Sequence, residues 1–187
     1  MNEPFIIAFV LALISEIADK TQLVILGLAL KYKSPFKVFS GALLAHAFMD
    51  GIAIILGAFF GFTLSSILVK NLVGILFIVL GSWGFYKLYR KTHKKEREIS
   101  GTTPFTVSLL TVMISEFGDK TQIASGLLSA KYLVPIPIFI GFVLALAIAI
   151  GFNVFVGSKI AQKLPRRTIK IITAVLFILF GVFILLS

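Results

Sequence analysis

The octapeptide Ser15-Glu16-Ile17-Ala18-Asp19-Lys20-Thr21-Gln22 returns 100 residues later as Ser115-Glu116-Phe117-Gly118-Asp119-Lys120-Thr121-Gln122. The register holds on both sides without a gap. Pro4 pairs with Pro104, Lys31-Tyr32 with Lys131-Tyr132, Pro35 with Pro135, and Gly41, Gly51, Gly57 and Gly81 with Gly141, Gly151, Gly157 and Gly181. Chance similarity between apolar segments yields scattered Leu and Ile matches, not a shared charged octapeptide with aligned Gly and Pro. The chain is therefore an internal duplication.

Hydropathy says what each copy is made of. Six apolar stretches run over 4–30, 37–62, 70–88, 104–130, 134–158 and 168–187. A helix crossing the hydrocarbon core needs about 20 apolar residues, so each stretch is a candidate span. Apolar residues make up 58% and charged residues 14% of the 187, whereas soluble domains hold roughly 45–50% and 25%. No room remains for a separate soluble domain. Three spans per copy is an odd number, so the second copy enters the membrane from the opposite side. The expected fold is an all-α membrane protein of six transmembrane helices arranged as two inverted three-helix repeats, 1–88 and 104–187. A basic cytoplasmic linker, 89–103, joins them. Transporters often follow this plan, with the site at the repeat interface near the midplane.

Lys and Arg set the orientation. The loops after helices 1, 3 and 5 carry most of them, among them Lys33, Arg90, Lys94, Lys159 and Arg166, whereas the opposite face holds only Lys70 and Lys131. Both termini are thereby expected outside the cytoplasm, in a multi-pass protein of the cell (inner) membrane. The net charge of +10 fits this topology signal, and no nucleic-acid partner is expected. The start, Met1-Asn2-Glu3-Pro4, lacks the positive region of a signal peptide, so the first stretch is expected to be a retained helix. With no cysteine, disulfides and thiolate metal sites are excluded, which argues against soft metals.

The octapeptides put Glu16, Asp19 and Lys20 inside helix 1, and Glu116, Asp119 and Lys120 inside helix 4. An ionised group at mid-membrane costs about 2.5–3.5 kcal/mol on insertion scales, so such groups must be paired, hydrated or ligated. In a continuous helix Glu16 and Asp19 share a face at i, i+3, as do Glu116 and Asp119. If the two motifs face one another, four carboxylates converge, with Ser15, Thr21, Gln22, Ser115, Thr121 and Gln122 adding neutral oxygens. Hard divalent cations favour such oxygen-rich sites. Four carboxylates against Lys20 and Lys120 leave two negative charges, which one divalent cation or two protons would neutralise. A plain structural alternative is an i, i+4 ion pair between Glu16 and Lys20 that lets the helix cross; it leaves Asp19 and the duplication unexplained. In a combined reading each Lys compensates the empty site and shifts when the cation enters.

Gly118 and Pro104 allow helix 4 to bend or unwind, or Gly118 serves close packing. Ala18 gives less support for unwinding of helix 1. Asp50 follows His46 by one helical turn, as a further ligand, a proton relay or a hydrogen-bonded pair. Their repeat mates are Leu146 and Ile150, with Asn153 the nearest polar counterpart. Small residues at Gly41/Ala45, Ala47/Gly51 and Gly57/Gly61, with mates from Gly141 to Gly151, read as helix-packing faces. The basic residues of the linker anchor topology, with anionic lipid as a further partner.

The paired motifs resemble the E-x-G-D-K-[ST] signatures of a family of small membrane manganese/calcium transporters, with Golgi, chloroplast-envelope and bacterial manganese-exporter members, within the lysine-exporter superfamily. The resemblance covers essentially the whole chain and departs at Ala18, where the family has Gly. It implies transport of Mn²⁺ or Ca²⁺, in exchange for protons, with Glu16, Asp19, Glu116 and Asp119 as the metal-binding acids. Lys20, Thr21, Lys120 and Thr121 complete the motifs. The short chain resembles a bacterial member, which favours manganese export. The expected activity is a secondary transporter working by alternating access, not an enzyme, with no resident cofactor. Its partners are the bilayer and the cation, and the oligomeric state is open. An exporter of a cationic amino acid is the alternative within transport, disfavoured because the motif lysines would repel an organic cation. An intramembrane enzyme lacks a nucleophile–base–orienter set, and a purely structural subunit gives the buried charges no purpose.

Overall fold

The structure, a computed structural model, describes residues 2–17, 19–89, 103–156 and 166–186. The linker's interior and the loop with Lys159 and Lys163 lie outside these residues, as does Ala18. The described residues form α1 (Asn2–Glu16), α2 (Lys20–Tyr32), α3 (Pro35–Thr63), α4 (Ser66–Tyr89), α5 (Pro104–Glu116), α6 (Lys120–Tyr132), α7 (Pro135–Gly151), which runs into a π-helical turn (Phe152–Val156), and α8 (Arg166–Leu186).

Three of these segments are long and apolar enough to cross a membrane, Pro35–Thr63, Ser66–Tyr86 and Pro135–Phe155; Thr21–Tyr32, Pro104–Glu116 and Ile171–Leu186 are shorter apolar helices. Their side chains are sorted in reverse of a soluble protein. Large apolar groups such as Phe36, Ile55, Phe59, Phe62, Ile67 and Ile136 are exposed, whereas Glu16, Gln22, His46, Asp50, Glu116 and Asn153 are buried. An apolar exterior this extensive needs a non-aqueous surround, and the chain is a membrane protein.

Pro35, Pro104 and Pro135 each open a helix, at the position where the missing N–H matters least. The stretches drawn over 4–30 and 104–130 are not continuous helices. Each is cut at its octapeptide: α1 ends at Glu16 and α2 starts at Lys20, and α5 ends at Glu116 and α6 starts at Lys120. The cause is Asp, a weak helix-interior residue but a strong N-cap. Asp19 and Asp119 have extended backbone, and each Oδ2 accepts from the N–H of the Thr two residues on, at 3.2 and 3.3 Å. Gly118 has φ +70°, and open space surrounds the place its Cβ would take, so it serves the bend and not packing. The first half breaks equally with Ala at position 18, a residue that lends less support to unwinding. The capping Asp, common to both halves, makes the break.

The two halves pack on each other in matched pairs. Gly41 of α3 lies against the Phe105 carbonyl of α5, and its mate Gly141 of α7 against the Phe5 carbonyl of α1. Gly51 faces the ring of Phe139, and Gly151 that of Phe39. α4 and α8 meet through Gly74 and Gly181, and the Phe77 ring meets Phe177 and Phe180 edge-on. Gly57 and Gly61 of α3 admit the Gly126 and Ala130 carbonyls of α6. The backbone repeats as well: Lys33 and Leu133, mates at the ends of α2 and α6, are both left-handed, with φ 49° and 55°.

The close approach of α3 and α6 predicts that Gly57→Ala destabilises the protein by about 1–3 kcal/mol, the usual penalty of overpacking. Gly27→Ala, where nothing lies within 4 Å of the added methyl, is expected to be neutral or stabilising by about 0.5–1 kcal/mol. Thermal unfolding of both variants in detergent checks the pair.

Candidate metal centre

The two breaks meet at the centre of the bundle. Glu16, at the last turn of α1, and Glu116, at the last turn of α5, point toward His46 from the middle of α3. One ligand atom from each lies within 4.8 Å of the others, and all three side chains are buried, at 0, 4 and 3% exposure. Each glutamate ends a half-helix, where the negative end of the helix dipole already favours a cation.

Each glutamate is steadied by the opposite half. Thr121 Oγ1 donates to Glu16 Oε1 at 2.7 Å, and Thr21 makes the mirror contact on Glu116. Among the described residues, Glu16 Oε2 and His46 Nε2 are buried without a hydrogen-bond partner. A buried polar atom left so costs about 1–3 kcal/mol, more if charged, which a bound cation would offset.

Asp19 and Asp119 stand behind this trio. Asp19 acts electrostatically on Glu16, His46, Glu116 and Asp119. Lys120 acts on Glu16 and on Asp119, so its charge reaches across to the other half; the Lys20 side chain lies outside the described positions. Because the helices break, Glu16 and Asp19 do not share a helix face, nor do Glu116 and Asp119, and Glu16 and Lys20 belong to different helices and are not i, i+4 neighbours of one. That corrects the reading based on i, i+3 and i, i+4 spacing. The carboxylates approach one another through the breaks.

The remaining motif residues divide. Gln22 Oε1 accepts from Asn153 Nδ2 at 3.0 Å, in the π-helical turn, and Asn153 also donates to the Ala149 carbonyl. Gln122 Oε1 accepts from the Gly118 N–H at 2.7 Å and its Nε2 donates to the Met49 carbonyl at 3.2 Å, tying the second break to α3. Ser15 is buried with its Oγ unpartnered, whereas Ser115 is half-buried. Asp50 is not in the trio; its Oδ1 faces Ser125 Oγ at 3.5 Å. His46 is the residue the motifs could not supply. Its signal was one polar side chain amid an apolar helix, a turn before Asp50.

Two carboxylates and an imidazole, brought together from both halves and inaccessible to bulk water, make a donor set for a divalent cation. Comparison with known proteins decides the family: residues 4–92 and 104–187 each match the model described as "Divalent cation/proton antiporter GDT1". The chain belongs to the GDT1 family. The chain is 32% identical over 167 residues to a Vibrio cholerae protein named "Putative manganese exporter", covering 89% of this chain and 82% of that one. It is 26% identical to "GDT1-like protein 3" of Arabidopsis thaliana, over 94% of this chain and 68% of the relative. It is also 26% identical to a GDT1-like protein of Synechocystis, over 97% and 96%. No solved structure matches. This GDT1 protein is thus a membrane cation transporter and not an enzyme.

The caps carry a prediction. Asp119→Ala removes the N-cap of α6 and is expected to destabilise the protein by about 1 kcal/mol, while Asp119→Asn, an equally good cap, retains that stability. Thermal melting of the two variants without added metal separates capping from any part of Asp119 in cation binding.

Proposed function

We propose that this GDT1 protein exports a divalent cation, Mn²⁺ before Ca²⁺, in exchange for protons, by alternating access around the centre formed by both halves. The observation that carries this is the convergence of Glu16, Glu116 and His46 within 4.8 Å inside the apolar bundle. Glu16, Glu116 and His46 bind the ion directly. Asp19 and Asp119 add negative charge and hold the half-helices open at their caps. Thr21 and Thr121 orient the glutamates, and Gln22, Gln122 and the motif serines furnish neutral polar groups around them.

An imidazole in the donor set supports Mn²⁺. Ca²⁺ takes shells of six to eight oxygens, whereas first-row divalent metals accept nitrogen more readily. The name of the Vibrio cholerae relative points the same way. Exchange for protons follows from charge: the acids of the centre must be neutralised in a low-dielectric surround whether or not the cation is bound, and protons can replace the departing ion.

The proposed topology treats α1–α2 and α5–α6 as one broken span each, with α3, α4, α7 and α8 as the others: six spans in two inverted repeats. Discontinuous helices whose broken ends meet at the midplane are a recurrent transporter device. The Lys and Arg distribution puts both termini outside the cytoplasm, in the inner membrane of a bacterial cell.

Mn²⁺ flux into proteoliposomes under an imposed pH gradient tests the proposal. Wild-type protein is expected to couple Mn²⁺ movement to proton counterflow, and Glu116→Gln to lower the rate by about tenfold or more. An unchanged rate in that variant would refute the role of Glu116. The imidazole gives a sharper outcome: His46→Gln should shrink the preference for Mn²⁺ over Ca²⁺ by about tenfold, read from competition of the two ions in the same assay.

A further inference from the structure

Beyond the centre, the helix pair α3–α6 differs from its repeat counterpart α7–α2. There α3 and α6 run side by side and carry His46, Asp50, Ser125 and Ser129, all buried. The repeat mates are Leu146, Ile150, Ile25 and Ala29, also buried. The α3–α6 side therefore continues the centre with polar groups at one-turn intervals, where the α7–α2 side has hydrocarbon at the mate positions and keeps its polar pair at Gln22 and Asn153.

Asp50 is the ionisable member of that chain outside the centre. Among the described residues its Oδ2 is buried with no hydrogen-bond partner, as is Ser129 Oγ one turn along α6 from Ser125. Ser125 has one hydroxyl proton and two oxygens within reach, the Gln122 carbonyl at 2.8 Å and Asp50 Oδ1 at 3.5 Å. The shorter contact takes the proton, since 3.5 Å is at the limit of a hydrogen bond. Asp50 is left facing a hydroxyl lone pair, which an acid's O–H can use and a carboxylate cannot. A single carboxyl flanked by hydroxyls also lacks the charge to hold a divalent ion.

The other charges around Asp50 are few. Asp119, at the head of α6, is the one that acts on it. His46 lies one turn back on α3, and Glu116 ends α5 at the centre. α7 with its π-helical turn has no titratable side chain, α2 has Lys20, Lys31 and Tyr32 only at its ends, and α4 has Lys70 near its start and Tyr86, Lys87 and Tyr89 in its last turn.

We propose that Asp50 is a proton-carrying site separate from the cation centre, reached along the one-sided polar path of Ser125 and Ser129. This rests on the cation/proton exchange proposed above. As the cation leaves the centre, an O–H bond forms at Asp50 Oδ1, which faces the Ser125 lone pair, with a proton drawn from water. When a cation binds again, that bond breaks and the proton returns to water on the other side. Asp50 accounts for one proton of the exchange, and the acids of the centre for any others.

The experiment is Asp50→Asn in proteoliposomes, with two readouts: uptake of Mn²⁺ driven by a pH gradient, and exchange of labelled for unlabelled Mn²⁺ at equal pH. The expected result is loss of gradient-driven uptake by tenfold or more, with the metal-for-metal exchange within twofold of wild type. Asp50→Glu should restore part of the gradient-driven uptake. Retained exchange reports that the variant is folded and its centre intact. Wild-type coupling in Asp50→Asn would overturn the proposal. So would loss of both readouts in a variant that stays monodisperse in detergent, because Asp50 would then belong to the cation centre. If wild-type protein shows neither readout, the exchange reading itself fails, a result distinct from either.

Discussion

Two glutamates from different halves of the chain lie beside one another, and beside a histidine, in the interior of a bundle whose outside is hydrocarbon. Ionised together at such range in a low-dielectric surround, the two glutamates would repel strongly, and no arrangement of apolar side chains would relieve that. The architecture is organised around this cluster. The apolar stretches that carry the glutamates are broken there, so that the C-terminal ends of α1 and α5 face the cluster. The Thr of each half donates to the glutamate of the other. Small residues draw α3, α5, α6, α7 and α1 together tightly enough to exclude lipid from it. Each feature makes sense as a means of holding a charge-dense point open to a cation inside a membrane.

Duplication explains how one chain builds such a point. A half that cannot complete a site alone presents one glutamate, one capping Asp and one Thr; two halves facing one another complete the set. The asymmetric residues then differentiate the halves. His46 enters the centre from α3, where α7 has Leu146. Asn153, in a π-helical turn absent from α3, secures Gln22, whereas Gln122 is secured by a backbone carbonyl of α3. Local π-helical turns recur at functional positions, and this one carries the side chain that secures Gln22.

Much of this was legible in the residues themselves. The repeat, the apolar stretches and the small-residue faces are periodic signals, and the helices α3, α4, α7 and α8 fall close to the stretches drawn from hydropathy. The motif residues were legible because charge inside an apolar run has few explanations. The breaks were not. Hydropathy is blind to a three-residue interruption, and Gly118 in one half with Ala18 in the other suggested that only one span would unwind. The decisive term was local, the preference of Asp for an N-cap, and it is the same at positions 19 and 119. His46 stood out beside Asp50 in an apolar helix, but its part was not legible, since it depends on the register of α3 against both breaks, a tertiary property with no counterpart at Leu146.

The central claim is that a divalent cation rests between Glu16, Glu116 and His46. A crystal of the protein soaked in Mn²⁺ and measured near the manganese absorption edge locates the metal directly by its anomalous scattering. The account predicts one strong peak within coordination distance of the two glutamates and the imidazole, lost when both glutamates are replaced by glutamine. A metal bound elsewhere in the bundle, with this centre filled by water or by a lysine side chain, would contradict it.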